Sequence, residues 1–167
     1  MKRFIPVLLA VTLSGHAFSQ TCPANVKRTT PASRYELQNS GAEVWDKQTD
    51  LVWQRCSLGQ SWDGSTCAGA PTRHTWQQAL EAATAAGGGW MLPDKRELQS
   101  LVERGCFNPA INITVFPNTL SSWYWSSSSV ASYSEFAWFV GFYNGIDNYH
   151  YELKSHEHYV RLVRTRQ

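Results

Sequence analysis

The chain has 167 residues, of which 43% are hydrophobic and 13% aromatic, and the aromatic residues include eight tryptophans. Lysine and arginine number 15, against 13 aspartate and glutamate. This near balance argues against a nucleic-acid-binding protein, or a protein that is attracted to membrane surfaces through a strongly basic charge. The length and apolar content suffice for one packed domain with a sizeable core.

The first residues are typical of a secretory signal peptide. Lys2 and Arg3 precede an apolar run over 4–13, which is too short to span a bilayer. Small residues at positions 17 and 19 predict cleavage before Gln20. Residues 1–19 contain two basic residues and no acidic one, so the remaining chain has no formal net charge. We expect a protein that is secreted, periplasmic or at the cell surface, without a membrane span; a membrane anchor is the alternative.

Four cysteines in an exported chain favour two disulfides over free thiols. Cys56 and Cys67 bracket a short segment rich in glycine and serine, so we expect them to pair, which leaves Cys22 with Cys106. A zinc site is the alternative, but the sequence contains no C-x-x-C spacing. We therefore predict no metal and no other cofactor.

The first half of the chain predicts a lead-in, a hairpin and a helix. Residues 20–40 are polar and weakly patterned, and we expect an extended segment before a domain over 41–167. Two apolar runs, at 44–45 and 51–53, flank a polar loop and predict a β-hairpin. A helix begins after Thr75, which has Gln78 three residues later as in a capping box. Its apolar residues share one face: Trp76, Ala79, Leu80 and Ala83.

The second half predicts a short helix followed by strands. Asp94 with Glu97 forms another capping box, and the helix is expected to continue to Gly105 with Leu98, Leu101 and Val102 on its inner face. A loop over 108–120 precedes strands at 123–126, 136–143, 146–153 and 159–164. Asn144-Gly145 is a strong hairpin-turn signal. The fold class is α+β, with two helices packed on short antiparallel sheets joined by long loops.

Six short motifs, in order along the chain, resemble the Lcl C-terminal domain family, which takes its name from a collagen-like bacterial adhesin. The motifs are W-Q-R-C at 53–56, W-M-L-P-D-K-R-E-L at 90–98, N-P-A-I-N at 108–112, F-P-N-T at 116–119, A-W-F-V-x-F-x-x-G at 137–145 and V-R-L-V-R at 160–164. The resemblance implies a C-type-lectin-like fold, also found in formylglycine-generating enzymes. It also implies a secreted or surface-exposed domain tied to adhesion or glycan contact.

Three departures limit what the resemblance implies. The chain has neither the E-P-N or Q-P-D triplet nor the W-N-D strand of animal C-type lectins, so sugar binding through bridging calcium is not expected. Its cysteines are better explained as structural bridges than as the redox-active copper ligands of the formylglycine-generating enzymes. The collagen-like G-x-y repeat of the named adhesin is also missing from this sequence.

The candidate contact residues lie between 121 and 158. Tyr124 is the predicted surface ring of the aromatic cluster at 123–125, whereas strand alternation favours Trp125 and Trp138 for the core. The serines at 126–129 predict a polar loop, and the lack of a G-x-S-x-G elbow argues against a serine hydrolase. The other predicted ligand-binding residues are Asn144, Asn148, Tyr149, His150 and Lys154.

Basic residues near the carboxyl end form a predicted local patch for an acidic polysaccharide. Besides Lys154, it comprises His150, His156, His158, Arg161, Arg164 and Arg166. A solvated strand edge protected by basic side chains is the alternative.

We predict a binding domain that does not catalyse, with an extracellular glycan or another surface polymer as its ligand. The alternatives are an enzyme that acts on envelope material through the same loops, and a protein–protein module of a surface appendage.

Overall fold

The computed structural model describes residues 19–144 and 149–166, with Tyr149 described through its backbone alone. The predicted signal peptide over 1–19 lies outside these ranges except for its last residue. The described chain is α+β, as predicted. Its helices are α1 (Trp76–Ala86) and α2 (Lys95–Gln99), and its strands are β1 (Tyr35–Gln38), β2 (Glu43–Asp46), β3 (Leu51–Gln54), β4 (Ser61–Trp62), β5 (Cys67–Ala68), β6 (Trp123–Val130), β7 (Tyr133–Gly141), β8 (Tyr149–Leu153) and β9 (Val163–Thr165).

An antiparallel four-stranded sheet has the order β1-β2-β3-β9. The predicted hairpin is confirmed as β2 and β3, in which Glu43 lies opposite Gln54. Val44, Trp53 and Val163 lie on the buried face of this sheet. Its edge strand β1 falls inside the segment that was expected to be an extended lead-in. The last strand is shorter than predicted, because residues before Val163 bond to β6 and to the segment after β3 instead.

The capping boxes of both helices are confirmed. Thr75 accepts from the N–H of Gln78 and Asp94 accepts from that of Glu97, and each partner side chain returns a bond to the cap. However, α2 ends at Gln99, well before the predicted end. Val102 instead forms a β-bridge with Ile111, which takes the chain out of the helix. The apolar residues predicted for the inner face of this helix are nevertheless buried.

The second sheet has the order β6-β7-β8 and is antiparallel. β6 runs to Val130, so the serines at 126–129 belong to a strand and the prediction of a loop there is wrong. The register shifts between Trp125 and Ser129, which indicates a bulge. Residues 145–148 lie outside the described part of the chain. They include Gly145 of the predicted Asn144-Gly145 turn and the start of the predicted return strand.

The core consists of two clusters on opposite faces of the second sheet. In the first cluster, Tyr124, Val140 and Phe142 pack against the buried face of the four-stranded sheet and against the segment around α2. Trp125 and Phe139 point the other way and pack with α1. Both faces of the middle of this sheet are therefore buried, which leaves its ends for contact with solvent.

Both predicted disulfides, Cys22–Cys106 and Cys56–Cys67, are present. The first joins residues that are 84 apart in sequence and ties the amino-terminal segment to the residues after α2. Two disulfides fit an exported protein, because such bridges persist in oxidising compartments. Neither helix in the described part of the chain has the length and apolarity that a membrane crossing needs.

Candidate functional site

The exposed ring of the aromatic cluster is Trp123, and the prediction that Tyr124 lies at the surface is wrong. Tyr124 is fully buried, and its hydroxyl lies 3.1 Å from the Ser57 hydroxyl. Burial also raises the pKa of Tyr124. Trp125 is fully buried, as predicted, whereas Trp123 is 40% exposed. Tyr124 is therefore a core residue, and its neighbour Trp123 takes the surface position.

Trp123 is held rigidly although it is exposed. It lies opposite Gly141 in the β6–β7 register, and a Cβ at Gly141 would lie 3.3 Å from Cδ1 of the indole. The glycine therefore lets the indole rest on the backbone of β7. The ring centroid of Trp123 lies 5.2 Å from Phe139 and 5.4 Å from His158, and the edge of Tyr143 lies beside it. These contacts fix the indole as a platform.

We call the surface formed by Trp123, Phe139, Tyr143, His150 and His158 the Trp123 face. Phe139 and His158 are almost entirely buried and form its floor. Tyr143 is 44% exposed, and His150 is exposed with its ring 5.9 Å from that of Phe139. The outward groups are therefore two flat aromatic rings and an imidazole.

His158 supports the Trp123 face as a neutral ring. Its backbone pairs with that of His74, and its imidazole packs at a tilt against the Trp125 ring, with the ring centroids 4.4 Å apart. The buried Nε2 has no hydrogen-bond partner among the described residues. Burial lowers the pKa of His158 to about 4, with Glu152 opposing the shift. The ring is therefore uncharged at neutral pH and packs as an apolar group.

Polar groups lie around the exposed aromatic rings. Arg73 is exposed, and its guanidinium lies 5.2 Å from the Tyr159 ring centroid. A hydrogen bond with Tyr159, aided by attraction to Glu157, raises the pKa of Arg73 above its usual range. On the other side of Tyr143, exposed Asn144 borders a cavity of about 420 Å³ that also includes Phe107. A cationic, an amide and an imidazole side chain thus lie around the exposed rings.

The remaining predicted contact residues are only partly brought together. Asn144 and His150 lie beside the platform, as described above. Lys154 donates to the carbonyl of Ser134 at 2.7 Å and lies 4.1 Å from the Trp76 ring. Because Ser134 is at the opposite end of β7 from Gly141, Lys154 does not belong to the Trp123 face. Asn148 and the side chain of Tyr149 lie outside the described residues.

The predicted basic patch does not form, because its arginines have separate structural roles. Arg161 is fully buried and donates to the carbonyls of Gln54 and Arg55 and to the hydroxyl of Thr119. Burial lowers its pKa to about 10, so it remains charged at neutral pH. Arg164 instead bonds to Glu43 at 2.6 Å on the four-stranded sheet.

The buried carboxylates are also occupied by internal bonds. Although burial opposes ionisation, hydrogen bonds from Arg34 and Thr49 hold the pKa of Asp46 below its usual range. Glu103 is likewise buried, and backbone N–H groups of the amino-terminal segment and of Gly105 lower its pKa. Within residues 19–144 and 149–166, no three His, Cys, Asp or Glu side chains are grouped as a metal site would require.

The Lcl C-terminal domain model matches residues 42–164. The chain belongs to the Lcl C-terminal domain family. The match runs from the start of β2 into β9 and therefore includes the whole Trp123 face. Comparisons with curated proteins and with solved structures gave no match. The C-type-lectin-like fold that the resemblance implies stays a prediction.

Sequence reasoning missed Trp123, Gly141 and Arg73. The available signal was the pairing of a glycine in one predicted strand with a tryptophan in its neighbour, because such a glycine lets a large ring lie on the sheet. That signal requires the register of β6 and β7, and the bulge in β6 prevents the register from being read off the sequence. Arg73 is far from β6 in sequence, but it bonds to Tyr159 and its charge acts on Tyr143 and His158 of the Trp123 face.

Proposed function

We propose that this Lcl C-terminal domain binds an extracellular glycan, or another polyhydroxylated surface polymer, on the Trp123 face. The observation that carries the proposal is the indole of Trp123, which is 40% exposed yet fixed against Gly141 and between three other rings. A flat aromatic ring presents an apolar surface to the C–H face of a pyranose. Because the platform is already ordered, little side-chain entropy is lost on binding.

The polar rim supports a hydroxyl-rich ligand over a purely apolar one. The exposed imidazole of His150 can exchange hydrogen bonds with sugar hydroxyls. Arg73 offers a cation for the carboxylate or sulfate of an acidic polysaccharide. With an overall charge near zero, selectivity for an acidic glycan would come from this local cation and would weaken as salt is added.

Binding without catalysis is supported by the internal hydrogen bonds of the buried carboxylates and of a buried serine hydroxyl. The Asp46 and Glu103 carboxylates are saturated by internal donors, and the Ser57 hydroxyl is shared between Tyr124 and Arg161. A general acid or a nucleophile needs to reach its substrate. We therefore propose that the protein contacts extracellular material, as an adhesion domain does, and leaves its ligand unchanged.

A glycan array with neutral and sulfated members tests the proposal. We expect defined hits for the native protein, and we expect Trp123→Ala to weaken them by at least about tenfold because the stacking surface is lost. Tyr133→Ala is the matched control, since Tyr133 is a 54% exposed ring at the far end of β7. Blank arrays, or equal losses in both variants at unchanged melting temperature, would contradict glycan binding on the Trp123 face.

A second candidate function, a protein–protein module, is favoured by a different surface. The rings of Tyr133, Phe136, Tyr151 and Trp138 form a continuous row, with neighbouring centroids 6.1, 5.6 and 5.5 Å apart. Tyr133 and Tyr151 are both more than half exposed, and tyrosine is enriched at protein interfaces. If this function is the correct one, Tyr151→Ser will abolish capture of a surface-protein partner while Trp123→Ala leaves it unchanged.

A further inference from the structure

A second recess lies on the outward face of the four-stranded sheet, away from the Trp123 face. It has a volume of about 300 Å³, at the lower end of the range for small-ligand sites. Its lining combines two half-buried tryptophans with four amide or carboxylate side chains. These residues are Asn39, Glu43, Gln54, Gln60, Trp62 and Trp90.

Both tryptophans of this recess are fixed. The Trp62 indole donates to the carbonyl of Ser40 at 3.1 Å, and the Arg55 guanidinium lies 3.9 Å from its ring centroid. Trp90 has Arg164 5.1 Å from its ring, and the next residue in the chain is held to β9 by two backbone hydrogen bonds. The recess therefore has two ordered aromatic walls.

The carboxylate that lines the recess, that of Glu43, is neutralised by an arginine. Glu43 accepts from Asn39 at 2.9 Å through one oxygen and from Arg164 at 2.6 Å through the other. This paired carboxylate lies directly opposite Gln54 across β2 and β3. The hydrogen bonds of Gln54 within the described residues are made by its backbone, so its carboxamide has both a donor and an acceptor to offer.

Two of the lining residues, Gln54 and Trp90, come from the sequence motifs. In W-Q-R-C, Trp53 and Arg55 are buried, whereas Gln54 points into the recess. In W-M-L-P-D, Leu92 is buried, whereas Trp90 forms a wall. The core requires the neighbours of Gln54 but not the Gln54 side chain itself, whereas Trp90 packs against the cluster around Trp125 and also lines the recess.

We propose that this recess is a binding site for a neutral pyranose, independent of the Trp123 face. The aromatic walls suit the C–H faces of a sugar ring, and the Gln54 carboxamide and the paired Glu43 carboxylate suit its hydroxyls. A neutral sugar fits better than an acidic one, because the charge of Arg164 is already paired with that of Glu43 and is not left over for an anion. The small volume limits the occupant to about one ring.

The test follows the indole N–H signals of Trp62 and Trp90 by NMR during titration with methyl pyranosides of glucose, galactose, mannose and N-acetylglucosamine. We expect saturable shifts of both signals with at least one of these probes below about 50 mM, which covers millimolar dissociation constants. We expect Gln54→Ala and Trp90→Ala each to weaken binding by about tenfold. Gln54→Ala keeps the test valid if loss of Trp90 impairs folding, and Gln48→Ala is the control for an exposed glutamine outside the recess.

Trp123→Ala separates this inference from the proposed function. Shifts of Trp62 and Trp90 that persist in Trp123→Ala and disappear in Gln54→Ala would establish an independent site. If no pyranoside shifts the two signals, or if Gln54→Ala binds as tightly as Gln48→Ala, the inference is wrong. The assignment of the Trp123 face would stand in either case.

Discussion

At the residue scale, His158 gives the domain a specific pH dependence. Burial lowers its pKa to about 4 from the usual 6.5, so the unfolded chain binds this proton more readily than the folded one. The stability contributed by neutral His158 is therefore complete above pH 6.5 and falls as the pH drops towards 4. A difference of this size corresponds to about 3 kcal/mol in the free energy of unfolding.

Urea unfolding between pH 7 and pH 4 measures this effect. Glu152, His156 and Arg73 also act on His158, so the native protein should be compared with His158→Gln and not with theory alone. We expect His158→Gln to lose most of the decline in stability over this range. His150→Gln, which changes an exposed imidazole, should retain it. Identical pH profiles for the native protein and His158→Gln would show that the buried ring does not titrate as described.

The exchange of roles between Trp123 and Tyr124 shows what alternation can and cannot predict. Alternation correctly places Trp123 and Trp125 on one face of β6 and Tyr124 on the other. It cannot tell which face is covered, and here both are buried at Trp125 because α1 covers one side and the main core the other. Trp123 is exposed because it lies at the start of β6, beyond the cover that buries Trp125.

Arg161 shows a similar limit for charge. In sequence it belongs to a run of basic residues, which favours a solvated edge. In the fold it is fully buried and bonds to the carbonyls and hydroxyls of two distant segments, near Gln54 and near Thr119. Arginine has five N–H donors in a planar arrangement, so it can satisfy several buried acceptors at once. Those acceptors are 42 and more residues away along the chain and could not be inferred from local pattern.

At the element scale, α1 is specified by local signals and should respond to a local change. Thr75 and Gln78 exchange hydrogen bonds at its amino terminus. We expect Thr75→Ala to lower the free energy of unfolding by about 1 kcal/mol, because an N–H group of the first turn loses its acceptor. Chemical denaturation measures this loss. Thr84→Ala, in the same helix but away from the cap, should cost less, and equal losses would exclude the capping explanation.

Elements specified by distant contacts were harder to predict than α1 and the β2–β3 hairpin. α2 looked longer because its apolar spacing continues to Val102, but the bridge to Ile111 and the bonds of Glu103 to Thr29 and Thr30 end the helix earlier. β6 looked shorter because serine is frequent in loops. Its serine run is held by contacts on both sides of the bulge: Ser129 pairs with Ala137 of β7, the Ser126 hydroxyl donates to the carbonyl of Trp138, and the N–H of Ser127 donates to the carbonyl of Pro93.

At the scale of the whole molecule, the two disulfides should differ in their contributions to stability. Cys22–Cys106 closes a separation of 84 residues and Cys56–Cys67 one of 11. In the chain-entropy description these loops correspond to about 4.5 and about 3 kcal/mol. We expect the paired change Cys22→Ala with Cys106→Ala to destabilise the domain more than Cys56→Ala with Cys67→Ala.

Thermal and urea unfolding of the two double variants decide this order. Cys67 is fully buried, so its replacement also removes packing. An equal or larger loss from the Cys56–Cys67 pair would show that packing at Cys67 outweighs the entropy of the longer loop.

The central claim is that the rigid, exposed indole of Trp123 forms the contact surface for an extracellular glycan. The most direct measurement is the NMR signal of the Trp123 indole N–H during titration with the strongest ligand from the glycan array. The account predicts a saturable shift of this signal, with the same dissociation constant as the binding itself and with loss of binding in Trp123→Ala. Saturable binding that leaves the Trp123 signal unmoved, or release of a chemically altered glycan, would contradict it.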